Sequence, residues 1–149
     1  MTDQNPLTTA PFQATAEQTR ALLDWFDRYD GYARDNNTAR MADMARFPLT
    51  VTTNDSRGEC VTQQWDRDTF IQSMSMAATS AAIDNRRHPA FLNADLAVVV
   101  TDSTVTTDGQ TLHMRYADVM AKVAGEWRFT AMIQAGWGDM LNQYAPGGQ

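Results

Sequence analysis

The chain has 149 residues, 43% of them hydrophobic, and a formal net charge of −6. That length is enough for one core without disulfide or metal staples, and an acidic chain with no basic run is a poor partner for nucleic acid. A single cysteine, Cys60, leaves no internal disulfide to form and has no histidine at a motif spacing from it.

Residues 1–14 contain Pro6 and Pro11 and no periodicity, which predicts a flexible arm. They carry no basic segment followed by an apolar one, and the longest aliphatic run, Leu96 to Val100, is too short to span a bilayer. A cytoplasmic protein without membrane contact is the expectation. Residues 15–149 read as a single domain.

At Thr15 the pattern changes. Thr15 and Gln18 form a capping-box pair, and Leu22, Trp25, Phe26, Tyr29 and Ala33 recur at helical spacing. On the opposite face Asp24 with Arg28, and Asp30 with Arg34, stand four apart in the order that favours pairing. Thr38 is the expected cap of a shorter helix that Pro48 stops, with Met41, Met44 and Ala45 as its apolar stripe. Leu49 to Thr53 predicts a strand, Asn54 to Gly58 a turn, and Glu59 to Trp65 the returning strand. Asp66 then caps a third helix with Phe70, Ile71, Met74, Ala77 and Ala78 facing inward.

Asn85 to Pro89 reads as a polar break. Beyond it the period becomes two. Leu96 to Thr107 and Thr111 to Val123 flank the hairpin signal Asp108-Gly109, and Glu126 to Trp137 follows the turn at Ala124-Gly125. The fold class is therefore α+β: helix, helix, hairpin, helix and a three-stranded meander. A strongly curved antiparallel sheet wrapped around three helices covers the apolar faces of both and leaves a conical pocket.

Arg115-Tyr116-Ala117-Asp118-Val119, then Gly125-Glu126-Trp127-Arg128-Phe129 and later Gln134, resemble the final hairpin of the nuclear transport factor 2-like superfamily, also called SnoaL-like. The Phe47-Pro48 step into the first strand is similar to some members too, and the order of elements matches over about residues 15–138. The resemblance implies a cone with a pocket, often in a homodimer, and no single chemistry. The superfamily's epoxide hydrolases place an Arg and an Asp two apart on one strand, whereas Arg115 and Asp118 are three apart and face opposite ways. Its dehydratases use paired histidines, and only His88 and His113 are present here.

Alternation divides the strand through residue 118 into a face with Leu112, Met114, Tyr116, Asp118 and Met120 and a face with His113, Arg115, Ala117, Val119 and Ala121. The resemblance turns Asp118 and Gln134 into the cone. A carboxyl between Tyr116 and Met120 on an apolar face suits proton transfer, with Tyr116 and Gln134 binding a polar group of the ligand. The alternative is that Asp118 pairs with an arginine or lies at a solvated rim. Tyr29, Tyr32, Trp65 and Met132 are further pocket candidates, against an ordinary core role for each. His113 and Arg115 suit a dimer interface, or a carboxylate-binding pair if the faces are inverted. No phosphate loop, nucleophile motif or metal spacing occurs, so no cofactor and no metal are expected. The functional expectation is a small apolar ligand carrying polar groups, with cofactor-free isomerase, cyclase or lyase chemistry. The alternatives are a non-catalytic dimeric scaffold or an accessory subunit using its outer sheet face.

Overall fold

A computed structural model describes residues 11–76 and 82–139. The first helix, α1 (Ala16–Arg34), opens on the expected capping box: Gln18 N–H donates to Thr15 Oγ1 at 3.1 Å and Thr15 N–H to Gln18 Oε1 at 2.9 Å. Leu22, Trp25 and Phe26 are its buried stripe. Trp25 Nε1 donates to the Trp127 carbonyl at 3.1 Å, which anchors the helix to the sheet. Neither expected pair on α1 forms. Asp24 meets Arg20 one turn earlier, and Asp30 turns toward a residue far along the chain.

Asn36 adopts φ 53° after α1, so the next residue, Asn37, and not Thr38, caps α2 (Thr38–Asp43) by accepting from Arg40 N–H at 3.2 Å. The first strand, β1 (Ala45–Asn54), starts earlier than expected and contains Pro48, which follows a cis peptide bond. Pro48 does not end α2. It lies where the pairing of β1 shifts register between Ala45 and Thr50, an irregularity of the kind that accommodates proline in a sheet. A turn at Asp55–Gly58 leads to β2 (Cys60–Trp65), and Asp66 caps α3 (Arg67–Met76) through Thr69 N–H at 2.8 Å. Phe70 of α3 is fully buried against Phe47, Trp65 and Phe129, a burial that contributes about 2 kcal/mol. Ala77 and Ala78 lie outside the described residues.

The expected polar break is a strand. β3 (Ala82–Asn93) pairs along its length with β4 (Leu96–Thr107), from Ala82 opposite Thr106 to Asn93 opposite Leu96. β3 is an outer strand of the sheet, where Pro89 is tolerated, and its alternation is intact: Asn85, Arg87, Pro89 and Phe91 are half-buried between exposed neighbours. The inward positions are polar at one end, which hid the period.

β5 (Gln110–Val123) and β6 (Glu126–Gln134) complete the meander through the two expected turns, with positive φ at Asp108, Gly109, Ala124 and Gly125. β6 ends at Gln134, short of the expected Trp137. The described residues thus form three helices and one curved six-stranded sheet in the order β2-β1-β6-β5-β4-β3, antiparallel except for β1 beside β6. The first ten residues of the expected arm lie outside the described residues, and Phe12 packs near Phe91 with ring centroids 6.4 Å apart. No helix among the described residues is long and apolar enough to cross a membrane.

Candidate functional site

Register places three rows of side chains across the inner face of the sheet. In the first row Ala97 faces Met120, which pairs with Phe129, and all three are buried. In the next row Val99, Asp118, Met132 and Val51 stand side by side. The third row is polar: Arg87, Thr101, Tyr116, Gln134 and Thr53. Asp118 therefore sits in an apolar row next to a polar one. The expected face of β5 is the inward one.

Asp118 is 8% exposed, and among the described residues it has no ion-pair partner and receives no side-chain hydrogen bond. Neither the rim nor the paired alternative describes it. Burial pushes its carboxyl up to about 7; the nearby Arg87 charge works against that rise and the Asp30 charge adds to it. Tyr29 on α1 is half-buried, stacked on Trp25 with centroids 5.7 Å apart, and close enough to feel Asp118, Tyr116 and Arg87. Burial, then Asp118 and Tyr116, hold its hydroxyl well above the ordinary phenol range. Burial also raises Tyr116, and Arg87 partly offsets this.

Arg87 closes the β3 end of the polar row, and sequence reasoning missed it. It forms a salt bridge with Asp30 of α1, and its Nη1 donates to Thr101 Oγ1 at 2.9 Å and to the Tyr116 hydroxyl at 3.2 Å. Its guanidinium lies 4.4 Å from the Phe26 ring centroid. Burial opposes the guanidinium charge, but Tyr116 and Asp30 outweigh it and raise its pKa. Asn85, two residues earlier, donates from Nδ2 to the same Asp30 oxygen at 3.3 Å. The signal that could have found these residues is the alternation Asn85, Arg87, Pro89, Phe91.

Met132 and Gln134 stand directly across β6 from Asp118 and Tyr116. Gln134 is 7% exposed, and among the described residues its amide reaches only the Met114 sulfur, at 3.8 Å. Two expected pocket residues are elsewhere. Trp65 is buried in the core beside Phe70, its Nε1 donating to Gln63 at 2.9 Å. Tyr32 lines a separate open groove of about 580 Å³ with Arg28, Arg40, Met44 and Trp127, which Asp118 does not touch.

His113 and Arg115 are on the outer face. Arg115 Nε donates to Asp102 at 2.6 Å, His88 Nε2 lies 3.1 Å from the other Asp102 oxygen, and His113 Nδ1 lies 3.3 Å from Thr104 Oγ1. The Arg115 bond holds the Asp102 carboxyl below its ordinary range. Cys60 is exposed, and the described residues contain no cluster of three His, Cys, Asp or Glu that could hold a metal.

Three helices packed against a curved, mostly antiparallel six-stranded sheet are the arrangement of the nuclear transport factor 2-like, or cystatin-like, fold. The chain is similar to an NTF2-like protein of unknown function from Shewanella oneidensis MR-1, with 10% identity over 78% of this chain and 98% of that one and a TM-score of 0.65. It is similar also to an NTF2-like protein from Cytophaga hutchinsonii ATCC 33406, at 19% identity over 80% and 98% and a TM-score of 0.61. A domain of unknown function with a cystatin-like fold from Nostoc punctiforme PCC 73102 aligns at 12% identity over 90% and 91%, with a TM-score of 0.63. At these identities the likeness establishes the fold alone. No family model matches the chain, and no curated protein matches it.

Proposed function

We propose that the chain binds a small apolar molecule with a polar group on the concave face, and that Asp118 exchanges a proton with it in a cofactor-free isomerisation, cyclisation or elimination. The observation that carries this reading is the Asp118 carboxyl: buried, unpaired among the described residues, and raised to about 7 beside Tyr29 and Tyr116. Such a carboxyl divides between its acid and base forms near neutrality, which is what a group that both takes and returns a proton needs. Tyr29, Tyr116 and Gln134 supply hydrogen bonds at the polar row, while Val99, Met120 and Met132 supply apolar walls.

The test is a thermal-shift screen of the protein against aromatic acids, steroids, polyketide-like phenols and lactones. A rise in melting temperature with one class, lost or altered in Asp118→Asn, supports the reading. A flat response from every class rejects it.

One observation favours an additional role for the outer face. Ile133 is 45% exposed in the middle of a row of small residues running Val100, Ala117, Ile133 and Thr52 across β4, β5, β6 and β1. We propose that this face pairs with a second copy of the chain, the Asp102–Arg115 pair lying at its rim.

A further inference from the structure

We infer that Arg87, braced by Asp30, is a positioning residue that turns the Tyr116 hydroxyl proton toward the ligand, so that the site takes a neutral compound offering an acceptor oxygen. The inference rests on the pocket reading above and names the ligand class within it: a ketone, ester or lactone, in preference to a carboxylate or an amine.

A guanidinium has no acceptor atom, so in the 3.2 Å contact the Tyr116 oxygen accepts from Arg87 Nη1. That leaves the Tyr116 proton to point elsewhere, and the described residues offer it no acceptor within hydrogen-bond distance. The Arg87 side chain is only 7% exposed and is held on several sides at once, by Asp30, Thr101 and the Phe26 ring. Such a bracing fixes the direction from which Tyr116 is approached. The same cluster is incomplete. Among the described residues Arg87 Nε is a buried donor with no partner, and Asn85 Oδ1, two positions along the same face of β3, is a buried acceptor with none.

The polar row is thus rich in donors: the Tyr116 hydroxyl, the Gln134 amide, which among the described residues is tied only to a thioether, and Arg87 Nε. A protonated amine would leave these donors unpaired, whatever it gained from Asn85 Oδ1 or Asp118, and would add a second cation beside Arg87. A carboxylate would be the third carboxyl, after Asp30 and Asp118, around one buried guanidinium already paired to Asp30. A carbonyl oxygen accepts from these donors without adding a charge.

The experiment follows backbone amide NMR shifts of the full chain at pH 7 during titration with 2-tetralone, 2-naphthoate and 2-naphthylmethylamine, which share an apolar body and differ in the polar group. We expect 2-tetralone to shift amides of β4, β5 and β6 around residues 99–101, 116–118 and 132–134, and to bind about tenfold more tightly than either charged probe, a difference of about one ordinary hydrogen bond. Tyr116→Phe and Asp30→Asn should each weaken it severalfold, and Arg87→Lys should restore part of what Arg87→Met loses. A second readout tests the Arg87–Tyr116 contact itself: the Tyr116 ring titration, followed by its ring-carbon shift, should rise in Arg87→Met because the cation that lowers it is gone, and an unmoved titration overturns the inference. Should Arg87→Met not fold, Asp30→Asn and Tyr116→Phe carry the test. Binding of 2-naphthoate as tight as that of 2-tetralone, or unchanged 2-tetralone binding in Tyr116→Phe, overturns the inference and leaves a ligand pocket standing. No response to any probe on the concave face overturns the pocket reading itself.

Discussion

The carboxyl of Asp118 stands directly across the β5–β6 ladder from the thioether of Met132. Each is 8% exposed, and the carboxyl has Val99 on its other side. An ionised oxygen facing two apolar side chains is poorly solvated, and the consequence is a carboxyl that keeps its proton to about 7.

The sign of the resulting pH dependence is fixed. Between the unfolded carboxyl value of about 4 and the folded value of about 7, the folded chain holds a proton that the unfolded chain has released. Stability from this group therefore falls as pH rises across that window, by roughly 4 kcal/mol at most, and is flat above it. Asp118→Asn has no proton to lose. Urea unfolding of both proteins at pH 5, 6, 7 and 8 should show the wild type losing stability relative to the variant as pH rises. Curves that stay parallel contradict the raised carboxyl. Asp66, whose carboxylate caps α3 and is held low by the Thr69 N–H, acts in the opposite sense and only in acid.

Removing Arg87 leaves Asp30 and the Tyr116 oxygen without their cation, and Arg87→Met should destabilise the fold by about 3 kcal/mol. Asp30 is less buried, with 24% of its side chain exposed, so Asp30→Asn should cost less. The double variant should cost clearly less than the sum of the two, as expected of groups in contact. Additive losses in chemical unfolding would show that the pair contributes nothing as a pair.

Gly138 packs against the β1–β2 turn, where an added Cβ would meet the Asn54 carbonyl and Asp55 Cα at 2.8 Å. These are backbone atoms that cannot step aside cheaply. Gly138→Ala should cost roughly 1–3 kcal/mol and loosen the hydrogen bonds from Gly136 N–H to Asn54 Oδ1 and from Trp137 N–H to Thr53 Oγ1. Faster exchange of those two amides, with the helical amides unchanged, is the expected signature.

Ile133→Asp places a charge in the centre of the outer face. If two copies meet there, sedimentation velocity should show a dimer for the wild type and a monomer for the variant, with the melting curve of each remaining cooperative. A wild type that sediments as a monomer at all concentrations rules the pairing out.

The elements that could be read from the sequence are those whose cause is local. Thr15 with Gln18, Asp66 with Thr69, and the positive-φ turns at Asp108-Gly109 and Ala124-Gly125 each act within a few residues. The inward turn of Asp118 was legible as well, from alternation joined to a family resemblance. What escaped depends on partners far away in the chain. Asp30 had a plausible helical neighbour in Arg34, yet it binds Arg87, 57 residues on, because β3 runs beneath α1. β3 itself was hidden because its concave side carries Asn85 and Arg87 where apolar residues mark a strand. The parallel pairing of β1 with β6 has no local signature at all.

Among the described residues β3 is hydrogen-bonded on one side only, and it carries Arg87, the cation whose charge acts on Asp118. The two facts are thermodynamically linked. Arg87 favours the ionised form of Asp118, so by reciprocity the ionised form favours a docked Arg87, and a protonated Asp118 holds the strand less firmly. Amide exchange along residues 85–91 should therefore speed up, relative to β4 and after correction for intrinsic rates, as the solution passes below neutrality. Proton occupancy at the centre of the sheet is thereby reported at its margin.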